Sequence, residues 1–259
     1  YMRFANVKAL DYSVKMGFRL STNPVIFQLY LEPMQQFRLA ADGHGKISVP
    51  ENHAERVRTY FDPLPFWYTP LEEEMIDSAA FPMHAITQRP MAMYHSWGTQ
   101  NAWLRQIFNR NWLYMSRARA GEMGLKDGDW VYVTSHHGRI KVPLKLMDGV
   151  NPDTVWTWNA IGKRSGAWNL AGDAPEARKG FLLNHIISDL LPERQGGYRY
   201  SNSDPVTGQA AWYDLRVRIE KAPAEDTLVT EPQFPTLEKP SGLKTRPPQL
   251  RFRGERKPS

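Results

Sequence analysis

The sequence predicts a mainly β fold with helical additions that closes as a barrel, and three observations lead there. Residues 113–158 hold short β-forming runs joined by tight turns, Lys126-Asp127-Gly128-Asp129 and His137-Gly138. A last run alternates, with Leu215, Val217 and Ile219 on one face and Asp214, Arg216, Arg218 and Glu220 on the other. Helical periodicity is confined to two or three stretches, so the strands must bury one another's apolar faces.

The elements follow in order. Pro24 to Leu31 reads as a strand and Glu32 to Ala40 as one or two helical turns. Asp42-Gly43-His44-Gly45-Lys46 is a turn, and Ile47 and Val49 suggest a short strand stopped by Pro50. Residues 61–70 combine three prolines with four aromatics, an extended packed linker. Glu72 to Ile76 reads as a helical turn. Met83 to Thr87 is a strand with Gln88-Arg89-Pro90 as its exit. After an irregular stretch, Trp103 to Phe108 reads as a short helix and Leu113 to Met115 as a strand. Ser116 suits an N-cap and Gly124 the stop of the helix between them.

Trp130 to Thr134 is rich in β-formers. Ile140, Val142, Leu144 and Leu146 alternate with Arg139, Lys141 and Lys145, which predicts a strand with one buried face. Pro143 places that strand at an edge or a bulge. Asp153 to Trp158 is a further strand and 159–173 a glycine-rich loop. Pro175 to Leu190 carries the strongest helical pattern, through Phe181, Leu182, Leu183, Ile186, Ile187 and Leu190, ended by Pro192. Gly196 to Gly208 reads as loop. Trp212 to Glu220 is the last strand. Residues 222–259 hold seven prolines and read as a disordered or surface-wrapping tail. The domain reading is therefore a leading segment over 1–75, a barrel domain over 76–221 and a basic tail over 222–259.

The net charge of +6 belongs to that tail. Residues 239–259 carry seven Lys/Arg against Glu255, and the remaining 238 residues balance 26 basic with 26 acidic side chains. A neutral body argues against nucleic-acid binding. With no cysteine, this stretch offers no disulfide, thiolate zinc site or iron–sulfur ligand, which fits a cytoplasmic setting. No run approaches the apolar length of a membrane span.

Polar clusters mark the candidate site. Thr87, Gln88 and Arg89 follow a strand directly, and Arg offers a fork for phosphate. His95, Ser96, Gly98, Thr99, Gln100 and Asn101 pack donors and acceptors into one loop, suited to phosphates or a heterocycle edge, or to satisfying its own backbone. Asn202 to Gln209 forms a second polar loop of ordinary turn chemistry. His136-His137 reads as exposed turn residues. His185 reads as a satisfied or exposed helix residue. Phosphate-loop, zincin and nucleophile-elbow motifs are absent. No Gly-Ser dipeptide is present, which excludes a self-processed pyruvoyl barrel.

The order Phe81-Pro82, Thr87, Arg89, His95-Ser96, Asn101, Trp103-Leu104, then Gly124 to Asp129, Val131, Val133, Ser135 and Gly138 resembles the C-terminal dinucleotide-binding domain of the dimethyl-sulfoxide-reductase family of molybdenum and tungsten enzymes. The resemblance covers roughly residues 45–221. It implies a six-stranded double-psi β-barrel, aspartate-decarboxylase-like, holding one molybdopterin guanine dinucleotide of a bis-cofactor pair with molybdenum, or tungsten. It implies cofactor contacts from Thr87, Gln88, Arg89, His95, Ser96 and Asn101, and from Asn184, Asp204, Thr207, Gly208 and Gln209, with no catalytic or metal-ligating residue in this stretch. The ending Asn202 to Lys221 and the stretch Tyr94 to Ile107 look most like membrane-associated sulfite-oxidising enzymes, grouped with polysulfide and thiosulfate reductases.

Family members carry an N-terminal [4Fe–4S] cluster and an upstream metal ligand. The expectation is therefore a C-terminal portion of a larger catalytic subunit, handling a sulfur oxyanion, with sulfite oxidation favoured. The same resemblance implies two partner subunits, one carrying iron–sulfur clusters and one serving as membrane anchor. It implies a cytoplasmic, membrane-associated location through those partners, and inactivity of this stretch alone. The alternatives are a non-enzymatic double-psi barrel that binds a protein partner, and a remnant that binds nothing.

Overall fold

Alternation along six strands closes a barrel around side chains that meet at its axis. In the computed structural model these are β3 (Met83–Gln88), β4 (Leu113–Ser116), β5 (Trp130–Thr134), β6 (Arg139–Met147), β7 (Thr154–Trp158) and β10 (Arg216–Lys221). The structure describes residues 2–3, 7–18, 26–27, 29–159, 161–162, 174–175, 179–194, 199–211 and 214–223. The strand order is β10-β3-β7-β4-β6-β5, with β5 returning to β10. Two parallel pairs, β3 with β7 and β4 with β6, sit in an otherwise antiparallel ring. This is the double-psi arrangement that the resemblance implied.

The barrel axis is filled by Met83, Ala85, Leu113, Met115, Val131, Val133, Leu144, Val155 and Val217, all at most 1% exposed. Such close packing makes volume changes costly, about 2–5 kcal/mol for a fully buried Leu→Ala. Phe181, Leu183 and Ile186 cap the same cluster from outside the ring.

The remaining described elements are β1 (Met2–Arg3) paired with β2 (Ile26–Phe27), and helices α1 (Val7–Lys15), α2 (Glu32–Ala41), α3 (Glu51–Tyr60), α4 (Leu71–Met75), α5 (Ala102–Ile107) and α6 (Arg117–Glu122). A small antiparallel pair, β8 (Leu190–Glu193) and β9 (Arg199–Ser201), completes the set. Tyr60, Leu71 and Leu191 form a second small core that fixes α3 and α4 against this pair.

Several elements differ from the sequence reading. No strand forms at Ile47 and Val49. Ile47 is exposed, and Pro50 instead precedes α3 as its N-cap. The strand read over 24–31 is limited to Ile26–Phe27, with residues 24, 25 and 28 outside the described ones. Among the described residues of 175–190 no α-helix forms; residues 179–182 are non-helical and Leu183–Ile186 is a 3₁₀ turn. The reason is tertiary. Asn111 takes the carbonyls of Lys179 and Phe181, the acceptors a helix would need, while Phe181, Leu183 and Ile186 all turn inward. The loop over 196–208 contains β9.

β6 is buried on both faces, with Lys141 at 0% exposure, where one buried face was expected. Pro143 sits inside the barrel, one residue before the β4 ladder begins at Leu144, so its missing N–H leaves no gap there. His136 is largely buried beside Glu72, not an exposed turn residue. The tail beyond residue 223, Trp212 and most of the 159–173 loop lie outside the described residues.

Candidate functional site

Parallel pairing puts two strand ends side by side. β3 and β7 run together through Thr87↔Thr157 and Gln88↔Trp158, and the Asn159 N–H then donates to the Gln88 carbonyl at 2.8 Å. Ligand sites favour the carboxyl ends of parallel strands, where the chain leaves the sheet with unpaired polar groups. Thr87 faces the barrel interior at 5% exposure, whereas Gln88 and Arg89 are exposed.

Met93 and Gly98 then fold the chain back over this end. Gly98 packs so closely that an added Cβ would press on Met93 and on Leu104. His95 opens a 3₁₀ turn, His95–Gln100, with φ +50, the one non-glycine positive φ among the described residues. A residue other than glycine in the left-handed region is strained and persists only when its surroundings demand it. Here the demand is visible. The amide N–H of Asn159 donates to His95 Nδ1 at 3.0 Å, which puts the proton of a neutral ring on Nε2. Ser96 lies in the same turn, with its side chain outside what the structure describes. Asn101 is committed locally. Its Oδ1 accepts from the Trp103 and Leu104 N–H groups and caps α5.

Asn111 holds this end rigid from beneath. It is fully buried, donates to the carbonyls of Trp158 (2.8 Å) and Phe181 (3.2 Å), and accepts from Thr157 Oγ1 (3.0 Å) and from the Trp112 N–H (3.1 Å). Trp158, Trp156, Tyr114 and Phe108 form a connected aromatic surface beside it, with Tyr114 stacked on Trp156 at 4.0 Å. Asn159 differs from Asn111. Its Oδ1 is buried and has no hydrogen-bond partner among the described residues. An orphaned buried acceptor beside a strained histidine and an exposed arginine is incomplete chemistry, and a ligand that donates a hydrogen bond would complete it. The residues present therefore fit a polar ligand that carries an anionic group and a hydrogen-bond donor.

The second predicted group sits elsewhere. Asp204 Oδ1 accepts from the Val206 and Thr207 N–H groups and from Thr207 Oγ1, and Gly208 (φ +74) closes the turn. Asp204 Oδ2 accepts from Tyr68 at 2.6 Å, and burial together with this contact raises the tyrosine pKa. Gln209 gives its carbonyl to the Asp204 N–H. Next to this turn, Asn202 donates to Glu72 Oε2 at 3.0 Å. Glu72 Oε1 accepts from the Arg216 N–H at 2.8 Å, opposite His84 near the start of β3. The turn is thus tied to the start of β3, not to the finish where Gln88 and Arg89 stand. Asn184 is exposed in the 3₁₀ turn that replaces the expected helix.

Sequence reasoning passed over Asn111 and Asn159. The signal for Asn159 was present. It follows a strand as Gln88 follows Thr87, but only the parallel pairing brings the two ends together.

A closed mixed barrel with a polar, strained loop folded over two parallel strand ends has the layout of a ligand-binding domain. Residues 83–202 match the molydopterin dinucleotide binding domain family. Over 236 residues the chain is 53% identical to a sulfite dehydrogenase subunit of Allochromatium vinosum, covering 90% of this chain and 24% of that protein. It is 25% identical over 189 residues to a dopamine dehydroxylase of Eggerthella lenta, covering 71% of this chain and 16% of that one. The chain therefore spans a minor part of these curated relatives. Among solved structures, acetylene hydratase from Pelobacter acetylenicus aligns with a TM-score of 0.47 at 16% identity, over 83% of this chain and 29% of that one.

Proposed function

We propose that this chain works as the cofactor-holding part of a molybdenum oxidoreductase that converts a sulfur oxyanion, with sulfite oxidation as the reaction. The 53% identity to a sulfite dehydrogenase subunit supports the substrate class. The carrying observation in the structure is the Asn159–His95 pair at the end of β3 and β7, with its orphaned Asn159 acceptor. The cofactor in this reading is one molybdopterin guanine dinucleotide of a bis pair. When bound, it supplies the metal that exchanges two electrons with substrate.

The chain's own residues bind and orient. Arg89 presents a planar fork to phosphate oxygens. His95 offers an Nε2–H donor, held in place through Nδ1 by Asn159. Asn159 Oδ1 accepts from an amine or amide on the ligand. Asn111 and the aromatic surface keep these groups from shifting and keep water from the barrel end. The reading extends to an iron–sulfur cluster in another part of the subunit, to iron–sulfur and membrane-anchor partner subunits, and to a cytoplasmic, membrane-associated location.

The test is to express the subunit that carries this chain with its partners, then release and oxidise the pterin and measure its fluorescence, guanine nucleotide and metal on one sample. Pterin in excess of metal, lost in Arg89→Ala or His95→Ala, is the expected result. A folded, molybdate-supplied sample without pterin would leave the barrel as a protein-binding module.

A further inference from the structure

Away from the β3–β7 end, a cavity of about 330 Å³ lies between α3 and the β8–β9 pair. Arg56, Arg199 and His53 line it together with Ser201 and Ser203, and no acidic side chain is among its described lining residues. Arg56 Nε is buried and has no hydrogen-bond partner. A guanidinium N–H removed from water without an acceptor is costly, so this donor is poised for one. Glu193 approaches Arg199 only to 3.9 Å, too far for a hydrogen bond. The N-terminus of α3 opens on the same space through Asn52 and His53, and its N-cap, Pro50, supplies no side-chain acceptor for the first-turn N–H groups. Cationic side chains, hydroxyl donors and an uncapped ten-residue helix all converge on one volume.

The other wall is apolar. Leu71, Leu190 and Pro205 line it, and the Tyr200 ring is fixed by Arg194 stacked over it at 4.2 Å. The volume suits a small organic molecule more than a bare ion. We propose that this cavity is a second ligand site, for an oxyanion such as a phosphate or sulfate group carried on a small apolar or aromatic body. Arg56 and Arg199 hold the oxyanion, and Tyr200 and Leu71 contact the body. Leu71 adjoins Glu72, so the site lies by the start of β3, away from Gln88 and Arg89 at its finish.

The test uses the whole 259-residue chain and three probes at constant ionic strength: inorganic phosphate, inorganic sulfate and phenyl phosphate, each followed by calorimetric titration. Saturable binding is expected, with phenyl phosphate tighter than the inorganic ions. Equal affinities would assign the site to free oxyanions and keep the oxyanion half of the proposal. Arg56→Gln and, separately, the exposed Arg199→Gln should each weaken binding by about tenfold or more, as loss of a charge-assisted contact requires. Arg89→Ala should leave it unchanged. Absence of saturable binding, binding undiminished in both arginine variants of native fold, or loss in Arg89→Ala would each overturn the proposal.

Discussion

The two ends of β3 are built on opposite plans. At its start, the charged groups are bonded, and an orphaned acceptor, Asn202 Oδ1, is buried beside them. Glu72 is 0% exposed and receives N–H donors from Arg216 and Asn202, and Arg216 forks onto Glu73 at 3.0 and 2.5 Å. At its finish, Gln88 and Arg89 reach solvent, His95 is strained and Asn159 keeps an orphaned acceptor. Both ends are polar in sequence. What separates scaffold from site is the exposure of Gln88 and Arg89 and the strain at His95, since each end buries an orphaned acceptor.

The largest effect expected lies beneath the open end. Asn111→Ala removes four hydrogen bonds among buried and part-buried groups and strands two backbone groups, the Phe181 carbonyl and the Trp112 N–H, so it should lower stability by roughly 3–4 kcal/mol in urea unfolding. A loss below about 1 kcal/mol would mean that the open end is not held rigid from below.

Next comes pH at the closed end. Burial pushes the Glu72 carboxyl up to about 7, against the opposing pull of the Arg216 and Asn202 donors. The folded pKa lies above the unfolded 4.5, so the folded state holds a proton that the unfolded state has released. Stability from this group is therefore full below pH 4.5 and falls as pH rises towards 7, by about 2–3 kcal/mol. His136, 3.9 Å away, has its pKa lowered by burial and by His137, so its contribution runs the other way below pH 6.5. Glu72→Gln should remove the falling limb and leave the rising one. The buried Oδ1 of Asn202, without a partner in the native protein, is placed to accept the new amide after a flip. Thermal unfolding from pH 5 to 8 reads both limbs, and a variant with the native profile would remove Glu72 as their source.

Tyr68→Phe deletes the 2.6 Å bond to Asp204 and should cost about 1–2 kcal/mol by the same unfolding assay. The smallest effect belongs to the open end. Arg89→Ala should shift stability by no more than about 0.5 kcal/mol while abolishing pterin retention. A large stability loss there would erase the contrast between the two ends.

The barrel was legible because its strands alternate. Leu215, Val217 and Ile219 announce an inward face by their spacing alone. α3 was not legible, because its only apolar signal is Ala54, Val57 and Tyr60 behind a proline that also suits a strand stop. The false helix after Pro175 failed because Asn111, far away in sequence, claims its carbonyls. Lys141 and His136 were assigned outward by local pattern, but neighbours on other elements cover them. Of the candidate site, the strand-end residues were named from sequence. The orphaned acceptor on Asn159 required the parallel register.

The ring closes through β10, whose Arg216 pairs with His84 of β3 and whose Ile219 pairs with Val133 of β5. Those partners are separated by 132 and 86 positions along the chain, from the residue numbers themselves. During synthesis, β3 and β5 must wait as open edges until the last strand has left the ribosome, and non-local closure of this kind is slow. A newly made chain therefore passes through an interval in which two sheet edges are exposed to aggregation. Any ligand that needs the closed ring can load only after β10 has emerged, and a chaperone that shields these edges would act before that point.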